Sequence, residues 1–510
     1  MRPSPALAPP SPRRPSPHGP VAHPAARAHV GARRLATLLG PGSDAVGGAA
    51  YVALADRVRL LVEDGRLAPQ TRLPAERELA EELGRSRTTI VSAYARLRDS
   101  GHLVSLRGSG SVTVLPAASA ERAGIDFAHA VPEPVPGLAG ILQEVAADAA
   151  GVLALGGFDV LGDLALRRQV AERYTRRGLP TTPDEVMVTL GAQHGLALVA
   201  RTLLRPGDRV LVESPTYPHG YEALREAGAR LVPTPVGTDG WDADHLVDVL
   251  ERVRPALAYL VPDFHNPTSA SMPLADRRRV AAAARRSGTV LLLDETTVDL
   301  DLAGEPAGEP FAALCADRMT STVTLGSLGK VVWGGLRIGW IRTDAATVRR
   351  LAHRRPAGDL GTPAFEQRVA GVVLERYDEL AAVRAAQLRE RHDVLVGLLR
   401  SELPDWGVPD VAGGLCLWVD LGAPVSSAVA SAGQARGLHV TAGPKFCVDG
   451  THERFLRVPF TAEPDVLAAG VAVLREVWHD LRHDVSHLRR TDVESHAGSR
   501  TGSHRLPATL

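Results

Sequence analysis

Thr322-Val-Thr-Leu-Gly-Ser327-Leu-Gly-Lys330-Val-Val-Trp-Gly-Gly-Leu-Arg337-Ile-Gly-Trp340 joins a short apolar run to a hydroxyl, a lysine and an arginine. The run Thr322–Leu325 reads as a strand buried on both faces, and the polar residues follow at its carboxyl end. The lysine is conspicuous. The chain has 58 Lys plus Arg, and only Lys330 and Lys445 are lysine. Surface lysines can give way to arginine at little cost, so a surviving lysine flags a place where a guanidinium would not serve. Arginine stays protonated in proteins and forms no Schiff base, whereas lysine does. Lys330 has hydroxyl and arginine neighbours suited to such chemistry. Lys445, in Gly443-Pro-Lys-Phe-Cys, has no such context.

Three more runs of the same kind precede this one. They are Arg209–Val212, Leu257–Val261 and Val290–Leu293, with helical segments between them. Each ends in a polar motif: Glu213-Ser-Pro-Thr-Tyr217-Pro, Asp263-Phe-His-Asn266-Pro267-Thr and Asp294-Glu-Thr-Thr. Alternating strands and helices over more than 300 residues predict an α/β domain with a mainly parallel sheet. Ligands in such sheets bind at the carboxyl ends of the strands, so four motifs at four ends predict one shared site.

The residue types suit pyridoxal phosphate (PLP). Lys330, Ser327 and Arg337 offer a Schiff-base anchor and an anion cradle. A carboxylate facing the pyridine nitrogen keeps the ring an electron sink, and Asp294 is the candidate. Asn266 is placed to donate to the ring phenolate, and Tyr217 to stack on the ring. Gly191-Ala192-Gln193-His precedes a helix whose free amides suit a phosphate. Taken singly, Asp294 reads as a capping acid, Arg337 as a surface charge, Asn266-Pro267 as a turn and Tyr217 as core. Their joint order and spacing carry the functional reading. Residues from about 156 to 460 resemble the fold-type I aminotransferases. The resemblance rests on Thr189-Leu-Gly-Ala-Gln193, Pro215-Thr-Tyr217-Pro, His265-Asn-Pro-Thr, Asp294 and the Ser327, Lys330, Arg337 string. It implies that Arg457, in Leu456-Arg-Val-Pro-Phe, binds a substrate carboxylate. Three positions depart from that pattern. Thr296 and Thr297 stand where a tyrosine is usual, Ser269 where glycine is common, and Phe158 near a usual tyrosine. The first departure puts efficient transamination in doubt.

Residues 47–115 read as a separate unit. Leu54, Val58 and Leu61 recur at helical spacing, a second helix spans Ala75 to Leu83, and Ser86 caps a third with Ile90, Tyr94 and Leu97 inward. Strands His102–Leu106 and Ser111–Leu115 follow, joined by Arg107-Gly-Ser-Gly110. Three helices and a β-wing make a winged helix-turn-helix. From Leu83 to Ser111 there are five arginines, Arg85, Arg87, Arg96, Arg98 and Arg107, against the single acid Asp99. A basic recognition helix and wing is an electrostatic footprint for DNA. Arg87, Thr88 and Thr89 would enter the major groove, Arg107 the minor groove, and Arg77 would position the DNA backbone. Leu73-Pro-Ala-Glu-Arg77-Glu-Leu-Ala and Arg85-Ser-Arg-Thr-Thr-Ile-Val are similar to the DNA-binding domain of GntR-family regulators. A GntR-type domain ahead of an aminotransferase-like unit is the arrangement of the MocR subfamily.

The sequence thus predicts a multidomain chain. A disordered extension occupies 1–46, a winged helix-turn-helix (α+β) 47–115 and a linker 116–140. An α/β fold-type I domain spans 141–485, its last part from about 375 a smaller α+β subdomain, and a disordered tail covers 486–510. The 510 residues carry zero formal net charge, so any basic surface is local. Three scattered cysteines suggest neither disulfides nor a zinc site and fit a reducing cytosol. No apolar run reaches membrane length and no secretory signal is evident. The resemblance implies a cytoplasmic homodimer that binds operator DNA and senses PLP, an amine or an amino acid through a Schiff base at Lys330. The alternative is a working aminotransferase with an accessory DNA-binding domain.

Overall fold

The computed structural model describes residues 28–40, 50–106, 110–116, 124–154, 157–315 and 321–499, without side chains from 482 onward. The chain divides into two units. One comprises residues up to 38 with 61–119, the other residues 39–60 with everything from 120.

In the first unit the short helix Glu76–Glu82 leads into the helix Arg87–Asp99. Ser86 caps that second helix by accepting from the Thr89 amide at 3.1 Å. Ile90, Tyr94 and Leu97 are buried, as the helical spacing requires. Leu103–Leu106 and Gly110–Thr113 pair antiparallel as the wing. The part of the extension within the described residues is ordered, contrary to expectation. Ala28–His29 pairs with Thr71–Arg72, and Ala32–Leu39 is helical. Leu35, Leu38 and Leu39, the last at the start of the second unit, are buried, an apolar stripe at i, i+3 and i+4 hidden in a stretch of biased composition.

The second unit is built on an eight-stranded sheet. Arg209–Ser214, Leu257–Leu260, Val290–Asp294 and Thr322–Ser327 lie side by side and parallel. These are the four runs read from the sequence, so their carboxyl ends share one edge. Gly339–Arg342 extends the sheet antiparallel to Thr322–Ser327, and Val186–Thr189 pairs antiparallel with it in turn, so it runs with the central strands. The helix Tyr377–Glu402 leads into a second sheet, ordered Cys416–Asp420, Phe455–Pro459, Leu438–Ala442 and Ile125–Phe127. Its last strand corrects the linker reading. Ile125–Phe127 pairs parallel with Leu438–Val440, and Phe127 is fully buried. Three residues are too few for a periodic signal, and the surrounding Ala, Pro and Glu mask them. The backbone also stays helical from Pro464 through Ser499, past the expected start of the tail. Once nucleated by packed residues such as Leu467 and Leu474, a helix extends cheaply.

Candidate functional site

Lys330 sits in the turn after Thr322–Ser327, with its amine end desolvated. Burial first, and then the Arg457 guanidinium, pull its proton affinity down to about 8; Cys416 and Asp294 act in the opposite direction. The amine donates to the carbonyl of Ala130 at 3.0 Å. Arg457, on Phe455–Pro459, is buried and donates to the carbonyl of Ala128. The strap from Ala128 to Ala130 therefore accepts from both cations. Arg384 reaches the chain three residues beyond this strap, donating to the Glu133 carbonyl as well as to Val331 O at 2.9 Å and Val332 O at 3.3 Å.

Asp294 ends Val290–Asp294 and is buried, which raises its carboxyl above the usual range. Its Oδ1 accepts from the Thr296 amide at 3.0 Å and its Oδ2 from the Tyr259 hydroxyl at 2.9 Å. Tyr217 is half-buried at the start of the helix Pro218–Glu226. Its phenol is pushed up to about 12 by burial and then by Asp294, with Arg337 and Arg457 opposing. These mutual influences place Lys330, Asp294, Tyr217, Arg337 and Arg457 around one locus.

A candidate phosphate cradle lies beside the lysine turn. Ser327 Oγ donates to Ile338 O at 3.2 Å and accepts from the Gly329 amide at 3.0 Å. Arg337 is exposed and donates to Leu190 O at 2.9 Å. Gly339 lets its strand approach the first turn of the helix Ala192–Leu203; a Cβ there would lie 2.8 Å from the Ala192 nitrogen. Gln193 ties that helix to the Tyr217 turn by donating to His219 O at 2.9 Å. Asn266 follows Leu257–Leu260. Its side-chain oxygen and the Arg457 Nε are buried with no partner among the described residues. The orphaned Arg457 donor beside a desolvated amine fits a ligand that brings an acceptor such as a carboxylate, while the Asn266 oxygen calls for a donor.

The two threonines beside Asp294 do not stand in for the usual tyrosine. Thr297 donates to Asp263 O at 2.7 Å, and Thr296 is engaged with Asp294. Lys445, unexplained by sequence, pairs with Glu222 at 3.1 Å. The strap carbonyls, Arg384 and Tyr259 were not foreseen. Backbone acceptors leave no sequence signal, and a tyrosine inside an apolar strand reads as core.

In the first unit Arg87 and Thr88 are exposed at the start of the capped helix, while Thr89 is half-buried, its hydroxyl 2.8 Å from Ser86 Oγ. Arg85 is half-buried, and exposed Arg77 pairs with Glu81 at 3.0 Å. Arg107 lies outside the described residues.

A desolvated lysine at the end of a central parallel strand, with an acid and two arginines nearby, defines the fold-type I class of PLP proteins. The model for "Aminotransferase class I and II" matches residues 141–473, and that for "Bacterial regulatory proteins, gntR family" matches residues 50–112. The chain belongs to the aminotransferase class I and II family and, with the GntR-type domain ahead of it, to the MocR type of GntR regulators. It is 28% identical to "HTH-type transcriptional regulator TauR" of Rhodobacter capsulatus, over 82% of this chain and 95% of that one. It is 29% identical to "Probable rhizopine catabolism regulatory protein MocR" of Rhizobium meliloti, over 69% and 78%. The α-aminoadipate aminotransferase LysN of Thermus thermophilus, solved with N-(5'-phosphopyridoxyl)-L-leucine, superposes with a TM-score of 0.66 at 27% identity. That match covers 71% of this chain and 94% of LysN. PLP is the cofactor of this family. No described helix is long and apolar enough to cross a membrane.

Proposed function

We propose that this protein is a cytoplasmic, homodimeric transcription regulator whose DNA affinity responds to PLP and to an amine or amino acid held at the same site. The observation that carries this reading is the desolvated Lys330 amine, between Asp294 and Arg457, in a chain that also bears a GntR-type domain. In this reading Lys330 would hold the cofactor, Asp294 would serve the ring nitrogen, Tyr217 would stack on the ring and Asn266 would serve the ring oxygen. Ser327, Arg337 and the amides of Ala192 and Gln193 take the phosphate, and Arg457 takes a ligand carboxylate. PLP, when bound, would supply an electrophilic aldehyde carbon open to the Lys330 amine or to a ligand amine. In this reading the DNA-binding domain is the span 47–115, of which residues 61–115 fall in the first unit, and Arg77, Arg85, Arg87, Thr88, Thr89 and Arg107 would face the operator. A ligand moves the DNA equilibrium only by its different affinity for the two conformations. The test is operator affinity, measured on promoter fragments flanking the gene, with PLP and a panel of amines added. Identical affinities with and without every addition would overturn the reading.

A further inference from the structure

Tyr259 lies in the middle of the parallel sheet, on Leu257–Leu260, and is wholly buried. Strand positions of this kind are normally filled by aliphatic residues, as its neighbours Leu257, Ala258 and Leu260 are. A phenol here needs a hydrogen-bond partner, and it finds one on the next strand. The Tyr259 hydroxyl donates to Asp294 Oδ2 at 2.9 Å. Room for the ring comes from a glycine on a third element. A Cβ on Gly220, in the helix Pro218–Glu226, would lie 2.8 Å from Tyr259 Cε1 and 3.0 Å from its oxygen. The same helix begins beside Tyr217. The tyrosine and the missing side chain together aim one neutral donor at one carboxylate oxygen.

We infer that Tyr259 is a positioning residue for the cofactor ring, holding Asp294 as an ionised, oriented partner for the pyridine nitrogen. The inference rests on the PLP reading of the site. Asp294 has no arginine or histidine hydrogen-bonded to it among the described contacts. Its bonded donors are Thr296, on Oδ1, and Tyr259, on Oδ2, while Lys330 and Tyr217 face it as titratable neighbours. Burial alone pushes the carboxyl toward its neutral form, and each donor opposes that push. Tyr259 is suited to the task because burial, then Asp294 itself, raise its phenol well above 10, with Tyr217 and Glu213 adding to the effect. It remains a donor through the whole working range of pH. Without it, Asp294 would hold a proton more tightly and would support a charged pyridine nitrogen less well, so that the Lys330 nitrogen of the loaded protein would become more basic.

The experiment is a pH titration of the visible absorbance band of the PLP-loaded full-length protein, wild type against Tyr259→Phe. The charged and titratable groups around Lys330, namely Arg457, Cys416 and Asp294, are left in place. The expected result is an upward shift of the midpoint by about one pH unit, the scale of a single hydrogen bond to a buried carboxylate. Gly220→Ala, which displaces the phenol without removing it, should shift the midpoint the same way and decides the matter if Tyr259→Phe does not fold. A midpoint unmoved or lowered in the variant that folds, with the band itself present, overturns the role of Tyr259 alone. A wild-type protein that develops no visible band with PLP overturns the cofactor reading, and this inference with it.

Discussion

Lys330 Nζ donates to the backbone carbonyl of Ala130 at 3.0 Å, joining positions 200 residues apart in sequence. The bond is available to the charged and the neutral amine alike, but only the neutral amine attacks a carbonyl. With its proton affinity pulled down to about 8, the amine becomes neutral as pH rises through that value rather than through 10.5. The rate at which cofactor-free protein captures PLP should therefore climb by about tenfold per pH unit below the midpoint and level off above it. Stopped-flow absorbance from about pH 6.5 to 9 brackets that midpoint and reads this directly. A rate still climbing at the top of that range would contradict the placement of Lys330.

Arg457 is buried beside Lys330, and its Nε has no partner among the described residues. If it receives a carboxylate, Arg457→Leu should weaken amino acids by about 10- to 100-fold, the scale of a charged hydrogen-bonded pair, and leave amines lacking a carboxylate nearly unaffected. Titrating the spectral change of the PLP-loaded protein with each ligand of a matched pair would separate the two classes. Equal losses for both would assign Arg457 to structure instead.

Arg384 is 1% exposed and serves three backbone carbonyls, those of Val331, Val332 and Glu133, besides the Gln387 side chain. Burial, followed by Arg391, lowers its proton affinity to about 10, so it stays charged under ordinary conditions. Arg384→Met fills similar space yet leaves buried acceptors unserved, at a cost of about 3 kcal/mol. Denaturant unfolding should register that loss. PLP capture should also slow, because the clamp joins the lysine turn to the chain just beyond the strap.

On the DNA side, Arg87→Ala should weaken operator binding by about 1–3 kcal/mol and reduce the salt slope by about 1 if the contact is to phosphate. Ser86→Ala removes the cap on the same helix and should cost about 1 kcal/mol of stability in this unit, whether or not DNA is present. Fluorescence anisotropy at several salt concentrations, set beside thermal melts, distinguishes reading DNA from holding the helix together.

Much of this arrangement was legible because the sheet is parallel. A strand buried on both faces reads as an unbroken apolar run, so Arg209–Ser214, Leu257–Leu260, Val290–Asp294 and Thr322–Ser327 announce themselves along with the polar residues at their ends. Lys330, Asp294 and Arg457 followed from those ends and from family likeness. The strand Ile125–Phe127 and the helix Ala32–Leu39 did not follow, since both sit in stretches whose composition resembles linker. Tyr259 was illegible for a different reason. Its role depends on a vacancy at Gly220, 39 positions away, and a vacancy has no side chain to notice.

The scarcity of lysine has an analytical consequence. Apart from the chain terminus, the protein offers only two primary amines, and Lys445 is already tied to Glu222. An acylating or reductively trapped label would therefore divide between one tethered amine and one whose reactivity depends on what occupies it. Mass spectrometry of two peptides would then report the fraction of molecules in each ligand state, with the Lys445 peptide as the internal standard.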